Sequence, residues 1–307
     1  MSWAPEVWQL AGVDRRDPMQ PGIDAYSIRM RWRTLEPTPG NYRWGFIDQE
    51  LARCQAAGVQ LVFRLMAGTS SPAWAVDDQI NDPRGKLPDP RTPHHRAAIR
   101  LILGAIASRY GRHLRAVHVP GFGNSAESNR PKGWDDLQAH GATLSQAYTE
   151  RAAHLASLVG PARTICNWGN VTAGWVRAAA GKCADLEVGA QHNSLKASTK
   201  PNADHHQLVW TWPHLRGFQA VSPSGNVEKF GGTVRAAVEL ALRARPAWLE
   251  MYQADIARAL TWRGDPGPST DLVDRIAAEL AGHPDLVHLI AAQRCQVLAG
   301  VREVWQC

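Results

Sequence analysis

The chain has no Cys-x-x-Cys pair, and its five cysteines, Cys54, Cys166, Cys183, Cys295 and Cys307, are odd in number and widely spaced. Neither a disulfide framework nor a zinc site is expected from them. No apolar run approaches the roughly 20 residues of a membrane span. The N-terminus, Met-Ser-Trp-Ala-Pro-Glu-Val-Trp, has no basic head and no apolar core of a secretion signal. A soluble protein with no membrane partner is expected, cytoplasmic or released by lysis or in a virion. Neither G-x-G-x-x-G nor G-x-x-x-x-G-K-[ST] occurs, so no nucleotide fingerprint is present. A G-x-S-x-G elbow and an H-E-x-x-H pair are also missing. His94-His95 and Asp204-His205-His206 invite a metal, but adjacent side chains on one chain rarely share an ion. No metal and no cofactor are expected.

The 34 Lys and Arg outnumber 28 Asp and Glu, for a formal charge of +6. The basic residues are scattered, and the densest group, Arg29–Arg33, alternates with Met and Trp as a strand would. This reads as a solvated basic surface and not a nucleic-acid face, and no nucleic-acid motif is found. Such a surface favours approach to acidic polymers or cell walls.

Apolar β-type runs alternate with helical patterns along the whole 307 residues, without a low-complexity linker. Strands are expected at about 7–12, 24–31, 59–66, 115–122, 163–168, 186–191, 217–221 and 247–252. Helices are expected at 46–57, 93–110, 143–158 and 233–244, with two more in the tail at about 270–281 and 285–299. Gly58 suits a helix end, and Thr92-Pro93 suits a helix start. Ile99, Ile102, Leu103, Ile106 and Tyr110 fall on one helical face. Short strands alternating with helices imply parallel β-α units. Eight units close into an α/β fold of the (β/α)8 type, a TIM barrel. The expectation is a single domain over 1–307, with C-terminal helices over about 253–307 packing on it. An open doubly wound sheet is the rival.

Two acidic residues stand out. Glu127 ends Ala-Val-His-Val-Pro-Gly-Phe-Gly-Asn-Ser-Ala-Glu, and Glu250 interrupts Trp-Leu-Glu-Met-Tyr. In a (β/α)8 barrel, chemistry sits at the C-terminal ends of strands. Arg29, Trp32, Arg64, Asn124, Trp168, His192, Asn193, Gln219 and Tyr252 fall near the same rim and are candidates for substrate binding. Two carboxylates on separate strands are what acid-assisted glycoside cleavage needs. One protonates the leaving oxygen; the other attacks the anomeric carbon or activates water. Glu127 otherwise reads as an exposed loop residue or helix cap, and Glu250 as an ion-pair partner of Arg29 or Arg64. An Arg beside a carboxylate favours its ionised form, as a nucleophile requires. The 13 tryptophans exceed expectation for this length. Of these, Trp168, Trp210, Trp212 and Trp248 are candidate platforms for stacking sugar rings.

Residues 28–74 resemble the second-to-third-strand segment of clan A glycoside hydrolases, especially family 42 β-galactosidase-like barrels. Trp32, Leu35, Glu36, Pro37, Gly40, Tyr42, Trp44 and Asp48 match the pattern. The resemblance implies a retaining glycosidase with its acid/base Glu after strand 4, where Glu127 falls, and its nucleophile on strand 7. Ala126 stands where the family carries Asn, Asn124 lies three residues before Glu127, and Glu250 counts to strand 8. Glu36 reads as part of a structural loop. Segments 119–131 and 248–255 also look like the two Glu segments of β-amylases, which are inverting barrels. The expectation is a glycosidase acting on a poly- or oligosaccharide, with cell walls as a candidate target. The alternative is a catalytically inactive carbohydrate-binding or structural barrel.

Overall fold

The computed structural model describes residues 6–20, 22–77, 79–82, 85–120, 137–168, 174–195, 215–220 and 247–252. The strands are β1 (Glu6–Val13), β2 (Ala25–Arg31), β3 (Gln60–Met66), β4 (Gln79–Asp82), β5 (Gly85–Pro88), β6 (Leu114–Val119), β7 (Thr164–Trp168), β8 (Gly189–Leu195), β9 (Leu215–Ala220) and β10 (Trp248–Tyr252). The helices are α1 (Trp32–Leu35), α2 (Gly45–Ala56), α3 (Pro93–Tyr110), α4 (Leu137–Val159) and α5 (Gly174–Asp185).

Eight strands form a closed parallel barrel in the order β1-β2-β3-β6-β7-β8-β9-β10. The last strand pairs back to the first, Glu6 opposite Trp248 and Trp8 opposite Glu250. That closure excludes the open doubly wound sheet. Each of the eight expected strands overlaps an observed one. Strands β4 and β5 form an antiparallel hairpin outside the barrel, between β3 and α3, which the sequence reading passed over. Helix α4 starts at Leu137, earlier than expected, and α5 was not anticipated. The helices expected at 233–244, 270–281 and 285–299 lie outside the described residues.

The period-two alternation of each strand divides its side chains between two cores. Outward residues such as Tyr26, Ile28, Phe63, Leu65 and Val117 pack against Ile99, Ile102, Leu103, Ile106 and Tyr148 of the surrounding helices. Inward residues Trp8, Ala25, Val62, Ala116, Ile165 and Trp248 form a second apolar cluster inside the barrel. Trp8 and Trp248 stack there, with ring centroids 4.5 Å apart and planes 2° from parallel. Two indoles fit because their neighbours are small. A Cβ on Gly217 would stand 2.1 Å from the Trp248 ring, so only glycine admits the indole at that place.

The segment that resembles family 42 barrels is a packed connector. Glu36, buried after α1, accepts hydrogen bonds from Trp32 Nε1 and from the backbone of Gly40, each at 2.8 Å. Gly40 has φ +75°, the left-handed turn that glycine adopts at no steric cost. Trp44 meets Tyr110 of α3 edge-on at 5.5 Å, and Asp48 accepts from the Tyr110 hydroxyl at 2.6 Å. These contacts bind the loop after β2 to helices α2 and α3.

Candidate functional site

The apolar floor of the barrel is overlaid by polar side chains. Moving two residues along each strand from the floor leads from Ala25 to Ser27, Val62 to Arg64, Ala116 to His118, Ile165 to Asn167, and Trp248 to Glu250. Each step keeps the same face. On β8 the corresponding residue is Gln191. Ser27, Arg64, His118, Asn167, Gln191 and Glu250 are all buried. Barrel interiors are dominated by branched aliphatic residues, so a polar ring supplied by six strands marks a built site. It departs from what packing alone would select.

Glu250 is the hub. Its Oε2 pairs with the Arg64 guanidinium and accepts a hydrogen bond from Gln191 Nε2 at 2.8 Å. The Gln191 amide is itself held, because its Oε1 accepts from Trp248 Nε1 at 2.5 Å. Thus the Trp248 indole, two residues before Glu250, fixes the amide that fixes Glu250. Oε1 of Glu250 has no hydrogen-bond partner among the described residues. Removing a carboxylate from water costs several kcal/mol unless a partner compensates, and Arg64 supplies that charge.

His118, one strand from Arg64 in the ladder, is completely enclosed. Its Nδ1 lies 2.8 Å from Asn167 Oδ1. With that oxygen accepting, Nδ1 carries the proton and Nε2 presents a lone pair. Nε2 has no hydrogen-bond partner among the described residues. Burial, and then the Arg64 charge, push the imidazole pKa well below its usual value, so the ring is neutral.

The expected site residues divide into three groups. Arg64 and Glu250 are brought together, mid-strand and fully enclosed instead of on the outer rim. The count to the eighth strand stands, since β10 lies between β9 and β1. Arg29 and Trp32 are engaged elsewhere. Arg29 Nε donates to Ala11 O at 2.9 Å, where the β1–β2 register shifts. Trp32 is fully buried against Trp74 and His95. Trp248, a candidate platform, is likewise corrected to a floor residue stacked on Trp8. Trp168, His192, Asn193, Gln219 and Tyr252 occupy β7, β8, β9 and β10, but their side chains lie outside the described residues. Glu127, Asn124, Trp210 and Trp212 also lie outside them. Glu127 follows β6, whose exit is anchored by buried Arg151 of α4 donating to Pro120 O at 2.7 Å.

The sequence reading missed Ser27, His118, Asn167 and Gln191. Their signal was a polar residue two positions beyond an inward small or apolar one, as in Ala-Val-His-Val. The two metal-inviting clusters fare differently. His95 is buried and its Nδ1 lies 2.9 Å from Ala75 O, while His94 Nε2 lies 2.8 Å from Trp74 O. The 204–206 cluster lies outside the described residues.

No protein-family model matches the chain. Over 76 residues it is 33% identical to a β-galactosidase of Thermus thermophilus, covering 24% of this chain and 11% of that protein. Over 122 residues it is 30% identical to the β-galactosidase BgaA of a Thermus species, covering 35% of this chain and 19% of the relative. The chain thus matches under a fifth of the length of either relative. Among solved structures, the catalytic domain of a β-amylase from Paenibacillus polymyxa aligns with a TM-score of 0.61 at 11% identity. That alignment covers 90% of this chain and 98% of the other. A cold-adapted β-galactosidase from Rahnella sp. R3 aligns with a TM-score of 0.55 at 16% identity, over 90% of this chain and 52% of the other. At such identities the structural likeness establishes the barrel fold. The short sequence matches add a local similarity to the two Thermus β-galactosidases.

Proposed function

We propose that this barrel hydrolyses glycosidic bonds in a poly- or oligosaccharide, with Glu127 as general acid and Glu250 as the second carboxylate. The observation that carries the reading is the state of Glu250. One oxygen is fixed by Arg64 and Gln191, and the other is left without a hydrogen-bond partner among the described residues. A nucleophile or base needs an oriented, charge-compensated carboxylate with one oxygen not committed to another hydrogen bond. Glu127 would protonate the leaving oxygen. Glu250 would then attack the anomeric carbon, with Glu127 later deprotonating the water that releases the sugar. In an inverting enzyme Glu250 would instead take a proton from the attacking water.

The resemblance of residues 28–74 to clan A barrels and the short matches to β-galactosidases support retention. The eighth-strand position of Glu250 and the nearly full-length likeness to a β-amylase barrel support inversion. Proton NMR of the first-formed anomer separates the two: the substrate's configuration is kept in one and reversed in the other.

A second reading is a carbohydrate-binding barrel without turnover. The full enclosure of Glu250 and its ion pair with Arg64 favour it, because both suit a structural carboxylate. Reducing-end release from a polysaccharide panel, cell-wall glycans included, tests the proposal. Release that is lost in both Glu127→Gln and Glu250→Gln supports hydrolysis. Binding without release by the wild type supports the second reading.

A further inference from the structure

Two thiols meet in the wall of the barrel. Cys166 on β7 and Cys183 on α5 are 17 residues apart in sequence, and their sulfurs lie 3.8 Å from each other. Both are buried in the outer apolar core, which also holds Ala179, Val188 and Ala190. Each backbone is held independently. Cys166 stands in register with Val119 of β6 and with Ala190 of β8. The Cys183 carbonyl accepts from the amides of Leu186 and Val188, at 3.2 and 3.1 Å. Two fixed elements therefore set the contact. A disulfide holds its sulfurs about 2.05 Å apart, and rotation about the two Cα–Cβ bonds is the motion that closes the remaining gap. No third His, Cys, Asp or Glu joins the pair among the described residues, so a metal site would lack its ligands. Cys54 sits apart, in α2 between β2 and β3, whereas α5 runs between β7 and β8.

We propose that Cys166 and Cys183 are an oxidative modification site, closing to an intramolecular disulfide that ties α5 to β7 where the surroundings are oxidising. The oxidant is a small disulfide of the glutathione class. One cysteine thiolate attacks a sulfur of that disulfide, breaks its S–S bond and expels a glutathione thiolate. The second cysteine thiolate attacks the mixed disulfide, forms the Sγ–Sγ bond and expels the other glutathione thiolate. The two cysteine protons pass through solvent to the two glutathione thiolates. Two cysteines are thus oxidised and one glutathione disulfide is reduced. Burial, with Cys183 adding to the shift, pushes the Cys166 thiol up, so the folded pair forms little thiolate. The exchange therefore belongs to the folding chain, before α5 covers β7. Kept reduced, the pair stays as two thiols that react only on unfolding. The residue after Cys166 is Asn167, which holds His118, so the bond braces a strand that carries part of the polar ring. The inference is independent of the saccharide reading.

The test refolds the full-length protein from denaturant with reduced and oxidised glutathione, and in parallel with a reductant alone. Free thiols are then alkylated in denaturant, and peptides are mapped by mass spectrometry without reduction. The expected result from the glutathione mixture is a linked Cys166–Cys183 peptide with Cys54 alkylated. The oxidised protein should unfold about 4 °C or more above the reduced one, and Cys183→Ser should abolish that rise. If Cys183→Ser does not fold, the peptide map and the oxidised-against-reduced shift of the wild type still decide. Recovery of both cysteines alkylated would overturn the site. So would either one linked to Cys54, Cys295 or Cys307, or carrying glutathione alone. A link that forms without raising the unfolding temperature, or a rise that survives in Cys183→Ser, would overturn it as well.

Discussion

Trp248 donates its indole N–H to Gln191 Oε1 at 2.5 Å while its ring lies flat on Trp8. This one side chain therefore belongs to both layers of the interior. Its face completes the apolar floor, and its edge orients the amide that holds Glu250.

The floor leaves no slack at Gly217. Gly217→Ala places a methyl 2.1 Å from the indole and should force the ring aside. The expected cost is about 1–3 kcal/mol, the usual range for overpacking, read from urea denaturation. Any sugar turnover should fall as well, because the Trp248–Gln191 contact moves with the ring.

Breaking the Arg64–Glu250 pair should be more damaging than removing it. Arg64→Met leaves a carboxylate buried without its charge partner, a change that typically costs about 3–5 kcal/mol. The double variant Arg64→Met with Glu250→Gln should lose less than the sum of the single changes. A double-mutant cycle in denaturant measures the coupling.

Acid should destabilise the fold through its buried imidazoles. Burial first, then the Arg151 charge, lower the His95 pKa to about 3 from 6.5. Between those values the unfolded chain binds a proton that the folded chain does not. Stability from His95 is therefore fully present above about pH 6.5 and is lost as pH falls toward 3. The slope is at most about 1.4 kcal/mol per pH unit. His118 acts in the same direction. Denaturation curves at a series of pH values should show a shallower acid loss in His95→Gln than in the wild type.

The described cysteines should be silent in the native protein. Burial raises the Cys54 thiol to about 12 and pushes Cys166 upward as well, so little reactive thiolate forms at pH 8. Cys166 and Cys183 lie 3.8 Å apart, sulfur to sulfur, between β7 and α5. Alkylation followed by mass spectrometry should modify Cys54, Cys166 and Cys183 only after unfolding.

The barrel was legible in the sequence because each strand is a short apolar run bounded by a helical pattern, as at 59–66 and 93–110. Glu250 and its eighth-strand position were legible because a charge interrupting Trp-Leu-Glu-Met-Tyr has few places to go. The residues around it were not. Gln191 and Asn167 look like ordinary strand polar residues until barrel closure brings β7, β8 and β10 around one axis. Trp32 and Trp248 misled for the opposite reason. An indole at a strand end suggests a sugar platform, and only packing partners such as Trp74 and Trp8 show that its faces are taken. The motif with the most specific sequence signal, from Trp32 to Asp48, is architectural here. Glu36 binds Trp32 and Gly40, which is why its pattern identifies a relative without locating the chemistry.

The most direct test is reducing-end release by the wild type beside Glu127→Gln and Glu250→Gln, with substrate binding measured in parallel. Two-carboxylate hydrolysis predicts release by the wild type, a fall of about a hundredfold or more in each variant, and retained binding. Release that survives either substitution would contradict the pairing of Glu127 with Glu250 as the catalytic carboxylates.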